Sequence, residues 1–328
     1  MIEEVSQHIY KITIPLPNSP LKALNSYLIK GDGRFLLIDT GMNRQECLDA
    51  MTAALKKLEV DTTKTDFFIT HVHSDHLGLA GTLKTPTSKV YLSALEDKLV
   101  NITPEESEHK WRGIYNTMAR FGYPENELLK SWENHPGKKY GGNCPVIFTH
   151  LQENDILSIG DYTLRLIQTP GHSPCHQCLY DEKKQILFCG DHILFDITPN
   201  ITYWDELDNA LKSYLDNLDK VAKLDVKLVL PGHRRIMNDH LKRIEELKRH
   251  HAERLKEALT ALADGDKSAW EVAPHIAWDI KAASWEVFPP AQKWFAFGET
   301  IAHMQYLEKD GKIKSRLQKG KIIYSRVN

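Results

Sequence analysis

No apolar run in this sequence approaches the roughly 20 residues that a membrane-spanning helix needs, so no membrane segment is expected. Cysteine is scarce: five in 328 residues, an odd number, which argues against a disulfide framework. Neither sign of charge dominates. Lys and Arg number 42, Asp and Glu 44, and the net charge is −2, so no global nucleic-acid or membrane-surface signature is present. The start, Met1 to His8, lacks a basic stretch followed by an apolar core, so a signal peptide is not expected and the cytoplasm is the expected compartment. Low-complexity segments, a phosphate-binding loop and a fixed-period repeat are missing too. What remains is ordinary for a globular protein: 41% hydrophobic and 26% charged residues, enough to bury a core and to make two domains.

Histidine is not scarce, and its placement is informative. His71-Val72-His73-Ser74-Asp75-His76 puts four metal-competent side chains into six residues, directly after the apolar-rich stretch Asp66 to Thr70. Imidazole and carboxylate at this density suit zinc or iron. Alternation along an extended backbone points His71 and His73 the same way, while Asp75 and His76, past the bend, can face a second ion.

Three later segments supply further donors. His172 sits in the turn Thr169-Pro170-Gly171-His172, after the strand-like Tyr162 to Gln168. Asp191 follows Gly190 at the end of the short apolar run Ile186 to Cys189. His233 follows Pro231-Gly232 after Val226 to Leu230. Donors just beyond strand ends rest on a rigid frame and can converge. Cys175-His176-Gln177-Cys178 is a lone CxxC without the second pair a closed zinc site needs. His176 reads as a packing or hydrogen-bonding residue, and Cys189 as buried. His192 adjoins Asp191 and is a candidate support for it. Arg234 and Arg235 either meet an anionic substrate or face solvent.

The N-terminal third reads as strands: Ile9 to Pro15, Asn25 to Gly31 and Arg34 to Asp39, the last two joined by the hairpin signal Asp32-Gly33. Asn43 to about Leu58 reads as a helix. Residues from about 94 to 145 are charged, mostly helical, and carry Trp111, Tyr115, Phe121, Tyr123, Trp132 and Tyr140. These rings either line a substrate pocket or form the insert's own core. Asp239 to about Leu262 predicts a long helix with Leu241, Ile244, Leu247, His251, Leu255, Leu259 and Leu262 on one face. Lys267–Ile276 and Pro290 to about Lys309 predict two more, and Lys312 onward a two-stranded wing.

The ordered donors, with Asp39 in Phe35-Leu36-Leu37-Ile38-Asp39-Thr40-Gly41, resemble the metallo-β-lactamase superfamily over roughly residues 5–240. The resemblance implies an α/β fold, an αββα sandwich with a helical lid insert at about 95–145. It implies one ion on His71, His73 and His172, a second on Asp75, His76 and His233, and Asp191 bridging the two. Asp39 would orient the ligands; read locally, it is a turn or helix-cap aspartate. The ions, expected as zinc with iron or manganese as alternatives, would lie about 3.5–4 Å apart and share a hydroxide. Asp75 would manage the proton as the catalytic residue. Many true β-lactamases carry cysteine at the Asp191 position and lack the counterpart of His76. The chain is therefore similar to the glyoxalase II, lactonase and nuclease branch instead.

The C-terminal stretch Gly298 to Gly311 resembles a subgroup closed by a small winged-helix-like domain, which includes lactamase-like endoribonucleases and polyketide-releasing thioesterases. A division into residues 1–238 and 239–328 is expected. The favoured expectation is hydrolysis of a small acyl substrate, a thioester above all. The alternatives are a lactonase and an endoribonuclease or phosphodiesterase acting on single-stranded RNA. Lys312, Lys314, Arg316, Lys319, Lys321 and Arg326 make the wing basic and support the RNA alternative, but alternation places several on a solvated face. Such a domain also serves for packing or for homodimer formation.

Overall fold

The computed structural model describes residues 1–141 and 145–327. Residues 142–144, at the end of the expected insert, lie outside the described residues, as does Asn328.

The chain opens with β1 (Ile2–Ser6), β2 (Ile9–Pro15), β3 (Ala23–Lys30) and β4 (Phe35–Ile38), an antiparallel meander. The Asp32-Gly33 turn forms as expected, with Gly33 at φ 70° and the Gly31 N–H donating to the Arg34 carbonyl at 2.9 Å. Helix α1 (Gln45–Lys57) buries Cys47, Met51, Ala54 and Leu55 and starts two residues later than expected, because Arg44 is extended. It returns the chain to β5 (Thr65–Phe68), parallel to β4. After the short helices α2 (Ser74–Leu77) and α3 (Ala80–Leu83) comes β6 (Val90–Tyr91). The helical insert follows as α4 (Ala94–Val100), α5 (Pro104–Arg120), α6 (Glu125–Glu133) and α7 (Pro136–Tyr140), and β7 (Phe148–Thr149) closes the first sheet. The second sheet contains β8 (Ile156–Ile159), β9 (Tyr162–Gln168), β10 (Gln177–Asp181) and β11 (Ile186–Gly190). Helix α8 (Ala210–Val221) then leads to β12 (Leu228–Pro231), which pairs parallel to β11.

Side chains alternate across each sheet, and both faces are apolar because both are covered. Ile29, Ile38 and Phe68 face inward and meet Leu164, Leu179, Phe188 and Leu230 of the second sheet. Their neighbours Leu28, Leu37 and Phe67 face outward against α1. Tyr180, Leu187 and Val229 pack outward with α8 and α9 (His240–Ala261). This is the αββα sandwich that the resemblance implies.

After α9 come α10 (Ala269–Val272), α11 (Pro290–Lys309) and the hairpin β13 (Ile313–Gln318) with β14 (Lys321–Arg326). Asp239 caps α9, accepting from the Lys242 N–H at 3.0 Å. Two expectations need correction. The buried stripe of α9 runs through His240, Ile244, Leu247, His251, Arg254, Ala258 and Ala261, while Leu241 is 50% exposed. The Lys267–Ile276 helix shrinks to α10 and a following 3-10 turn, since Pro274 has no N–H to continue it. These elements share a core with the insert, in which Met118, Phe121 and Tyr123 pack with Phe297, Ile301 and Tyr324. Among the described residues no helix is long and apolar enough to cross a membrane.

Candidate metal centre

Asp39, His71, His172, Asp191 and His233 each lie just past the C-terminal end of a strand, on β4, β5, β9, β11 and β12 respectively. The two sheets therefore deliver five side chains to one edge, and α2 adds Asp75 and His76 from above. Close backbone approach makes this possible. At Gly232 a Cβ would meet Asp191 Oδ1 at 2.5 Å and His76 Cε1 at 2.8 Å, so no side chain fits there.

The donors form two groups. His71 Nε2, His73 Nδ1 and His172 Nε2 lie 2.9, 3.3 and 3.0 Å from one another. In the second group His233 Nε2 is 3.3 Å from Asp75 Oδ2, and His76 Nε2 is 4.0 Å from the same oxygen. Asp191 stands between them. Its Oδ2 is 3.7 Å from His172 Nε2 and 3.5 Å from His233 Nε2, and its Oδ1 is 3.6 Å from His76 Nε2. All seven proposed ligands thus meet in one place.

Hydrogen bonds behind the rings fix which nitrogen carries a proton. His76 Nδ1 donates to Asp39 Oδ2 at 2.7 Å, His172 Nδ1 to the Asn200 carbonyl at 2.8 Å, and His233 Nδ1 to the Ala23 carbonyl at 2.8 Å. His71 Nδ1 lies 3.0 Å from Thr70 Oγ1, which is itself held 2.9 Å from Asp39 Oδ2. Each of the four rings thus keeps its Nδ1 proton behind it and aims Nε2 into the cluster, where a cation can displace the second proton that His76 and His233 carry beside their carboxylates. His76 Nε2, His233 Nε2 and Asp191 Oδ1 are buried without a hydrogen-bond partner. Buried polar atoms left without a partner are costly unless a cation binds them, so the donor set fits divalent metal.

Electrostatics distinguish the groups. Burial, reinforced by His172, pushes His73 down to about 3, and burial with the neighbouring rings pushes His71 well below its ordinary value. In the second group, desolvation is outweighed by opposite charges. Asp191 and Asp75 push His233 up to about 10, and Asp39 leads in raising His76. His76 and His233 in turn hold Asp75 at about 2. Asp39 does not cap α1: the N-cap position is Arg44, without a side-chain cap. Its carboxylate instead accepts from the Thr70 N–H at 2.9 Å.

Other residues serve the centre without an obvious mark in the sequence. Glu96, on α4, is fully buried and accepts from Ser173 Oγ at 2.5 Å and the Cys175 N–H at 2.9 Å, clipping the turn that carries His172. Burial pushes its carboxyl up to about 7 against those hydrogen bonds. His176 Nε2 accepts from the Asp191 N–H at 3.1 Å, with Nδ1 2.8 Å from Thr169 Oγ1, so it is structural, as expected. Trp204 stacks on His73 with ring centroids 6.0 Å apart and donates through Nε1 to the His172 carbonyl at 3.2 Å. His192 packs edge-on against Tyr214, with ring centroids 5.4 Å apart. Cys178 is buried and Cys175 half-buried, and neither is in a disulfide.

The cluster opens into a cavity of about 1830 Å³. His73, Asp75, His172 and Asp191 line its floor; Trp111, Ile114 and Tyr140 come from the insert, and Arg254, Trp278, Trp294 and Phe295 from the C-terminal helices and their links. The insert's rings thus divide: Trp111 and Tyr140 face the cavity, whereas Phe121 and Tyr123 are core. Arg234 lines the cavity, while Arg235 pairs with Asp196 at the surface at 2.6 Å.

Comparison with known proteins is consistent along most of the chain. The family described as the metallo-beta-lactamase superfamily matches residues 21–233. The lactamase-like protein nscB of Arthroderma benhamiae is 27% identical over 263 residues, which are 80% of this chain and 47% of that protein, so the chain spans about half the fungal relative. The beta-lactamase-like protein 2 homolog of Caenorhabditis elegans is 25% identical over 81% of this chain and 75% of its own length. The crystal structure of a metallo-beta-lactamase family protein from Thermus thermophilus superposes with a TM-score of 0.81 at 29% identity, covering 99% of this chain and 100% of that one.

Proposed function

The chain belongs to the metallo-beta-lactamase superfamily, and from that premise we propose that it is a two-metal hydrolase of acyl substrates, a thioester above all. The observation that carries this reading is the convergence of seven donors, several with buried unpartnered polar atoms, on the floor of a large, partly aromatic cavity. His71, His73 and His172 would hold one ion, Asp75, His76 and His233 the other, and Asp191 would reach both. Imidazole mixed with carboxylate suits zinc, with iron or manganese as alternatives. When bound, such ions supply Lewis acidity, which makes water nucleophilic at neutral pH and polarises a carbonyl.

The chain's own residues do the rest. Asp75, within 3.3 Å of His233 and facing the cavity, takes and returns the proton. Trp204 shields the His73 side of the floor. Trp111, Ile114 and Phe295 offer an apolar surface to the acyl group, and the insert around them excludes water. The RNA alternative draws less support from the wing. Arg316 and Lys312 are already paired, each at 2.8 Å, with Asp266 and Asp310.

Protein stripped by a chelator and reloaded with Zn2+ is to be assayed side by side on acyl-CoA, glutathione thioester, lactone and RNA. Thioester hydrolysis that vanishes on chelation and returns with Zn2+ is the expected result. Metal-dependent cleavage confined to RNA, weakening steeply with salt, would replace this reading with the nuclease one.

A further inference from the structure

The C-terminal helices carry a buried ion pair that no part of the proposed chemistry uses. Arg254 on α9 and Glu299 on α11 are 6% and 3% exposed and bonded to each other through Nη1 and Oε1. His250 and His251 lie close enough to Glu299 to suggest a third metal site. The guanidinium excludes it: it already neutralises the carboxylate and would repel a cation placed there. His251 is occupied as well, its Nδ1 lying 3.2 Å from His303 Nε2.

The other oxygen of Glu299 leads elsewhere. Glu299 Oε2 accepts from Asn200 Nδ2 at 2.8 Å, and the same amide donates to the Phe295 carbonyl at 3.2 Å. Asn200 is the residue whose carbonyl holds His172 Nδ1 at 2.8 Å. The whole segment is pressed onto α11. The Tyr203 N–H donates to the Gly298 carbonyl at 3.1 Å, and a Cβ on Gly298 would meet Thr202 Oγ1 at 2.1 Å. One residue on, Trp204 holds His172 from its carbonyl and covers His73.

We propose that Glu299, oriented by Arg254, is a positioning residue for the His71–His73–His172 half of the centre, acting through Asn200. The C-terminal helices then do more than pack. They hold the one ligand of that half that comes from the second sheet, and they set the tautomer that frees its Nε2. This inference rests on the reading of His172 as a metal ligand. Glu299→Gln removes the charge that orders both Arg254 and the Asn200 amide. Asn200→Ala removes the hook but leaves the ion pair and the backbone carbonyl in place.

The test is competitive Zn2+ titration of the chelated full chain against a chromophoric chelator, with cobalt absorption spectra of the loaded proteins and thermal melting run beside it. Outer-shell partners of metal ligands are worth roughly 10- to 100-fold in affinity. Both variants are expected to weaken one of two Zn2+ equilibria by about 10-fold or more, to leave the other within a factor of about 2, and to alter the cobalt spectrum of the all-histidine half. Asn200→Ala should do so with little change in melting temperature, which a merely structural role would not produce. If Glu299→Gln does not fold, Asn200→Ala alone decides. Two unchanged equilibria in a folded Asn200→Ala protein would overturn the inference while leaving the two-metal reading intact. A wild-type chain that takes up no metal would overturn both.

Discussion

The two halves of the donor cluster use the same imidazoles but differ in charge. His71, His73 and His172 face one another with no carboxylate of their own, and their burial drives protons off. Asp75, His76 and His233 form a mixed set in which carboxylates hold protons on the rings. The first half is therefore a neutral cage of nitrogens 2.9 to 3.3 Å apart, with no opposite charges paired inside it. The second satisfies itself partly by ion pairing when metal is missing. The difference teaches that an all-histidine group depends more on the elements behind it, because no ion pair within it holds it together.

Breaking the link between the halves has the largest expected effect. Asp191→Ala removes the carboxylate that reaches both, so bound metal should fall below two per chain by elemental analysis, and turnover by at least about 100-fold. Asp75→Asn strikes the second half alone. Turnover is expected to fall about 10²- to 10⁴-fold with both ions retained; undiminished turnover in a protein holding both ions would remove Asp75 from the proton's path. Asp39→Asn sharpens the contrast from behind. It weakens the acceptor of His76 Nδ1 and should lower affinity at the second half by roughly 10-fold or more, read by metal titration.

The smallest effect is a pH dependence of opposite sign in the chelated protein. His73, held at about 3 when folded against 6.5 ordinarily, burdens the fold increasingly as pH falls from 6.5 toward 3. His233, held at about 10, contributes fully below 6.5 and loses that contribution as pH rises through 10. Thermal melting should thus decline on both sides of neutrality. His73→Phe should blunt the decline between pH 6.5 and 3, and His233→Phe the one toward 10. Zn2+ should suppress both, since it takes the lone pairs that protons would take.

The sandwich and the seven donors were legible because strand-end position is a local property. An apolar run followed by a turn and a histidine shows where a ligand sits before any tertiary contact is known. Glu96 was not legible. Ser93 and Glu96 have the spacing of a capping box, and Ser93 does accept from the Glu96 N–H at 3.3 Å. The carboxylate nevertheless turns inward to Ser173 and Cys175, 77 and 79 residues away. Asn200 and Glu299 are 99 residues apart and join only when α11 docks. Leu241 misled because periodicity defines a stripe, but not which of its edges the neighbouring sheet covers.

Anomalous diffraction at the zinc edge, from crystals grown with excess Zn2+, tests the pairing of the halves most directly. Two separate peaks are expected, one among His71, His73 and His172 and one among Asp75, His76 and His233, with Asp191 touching both. A single peak, or density outside the ring of donors, would contradict it.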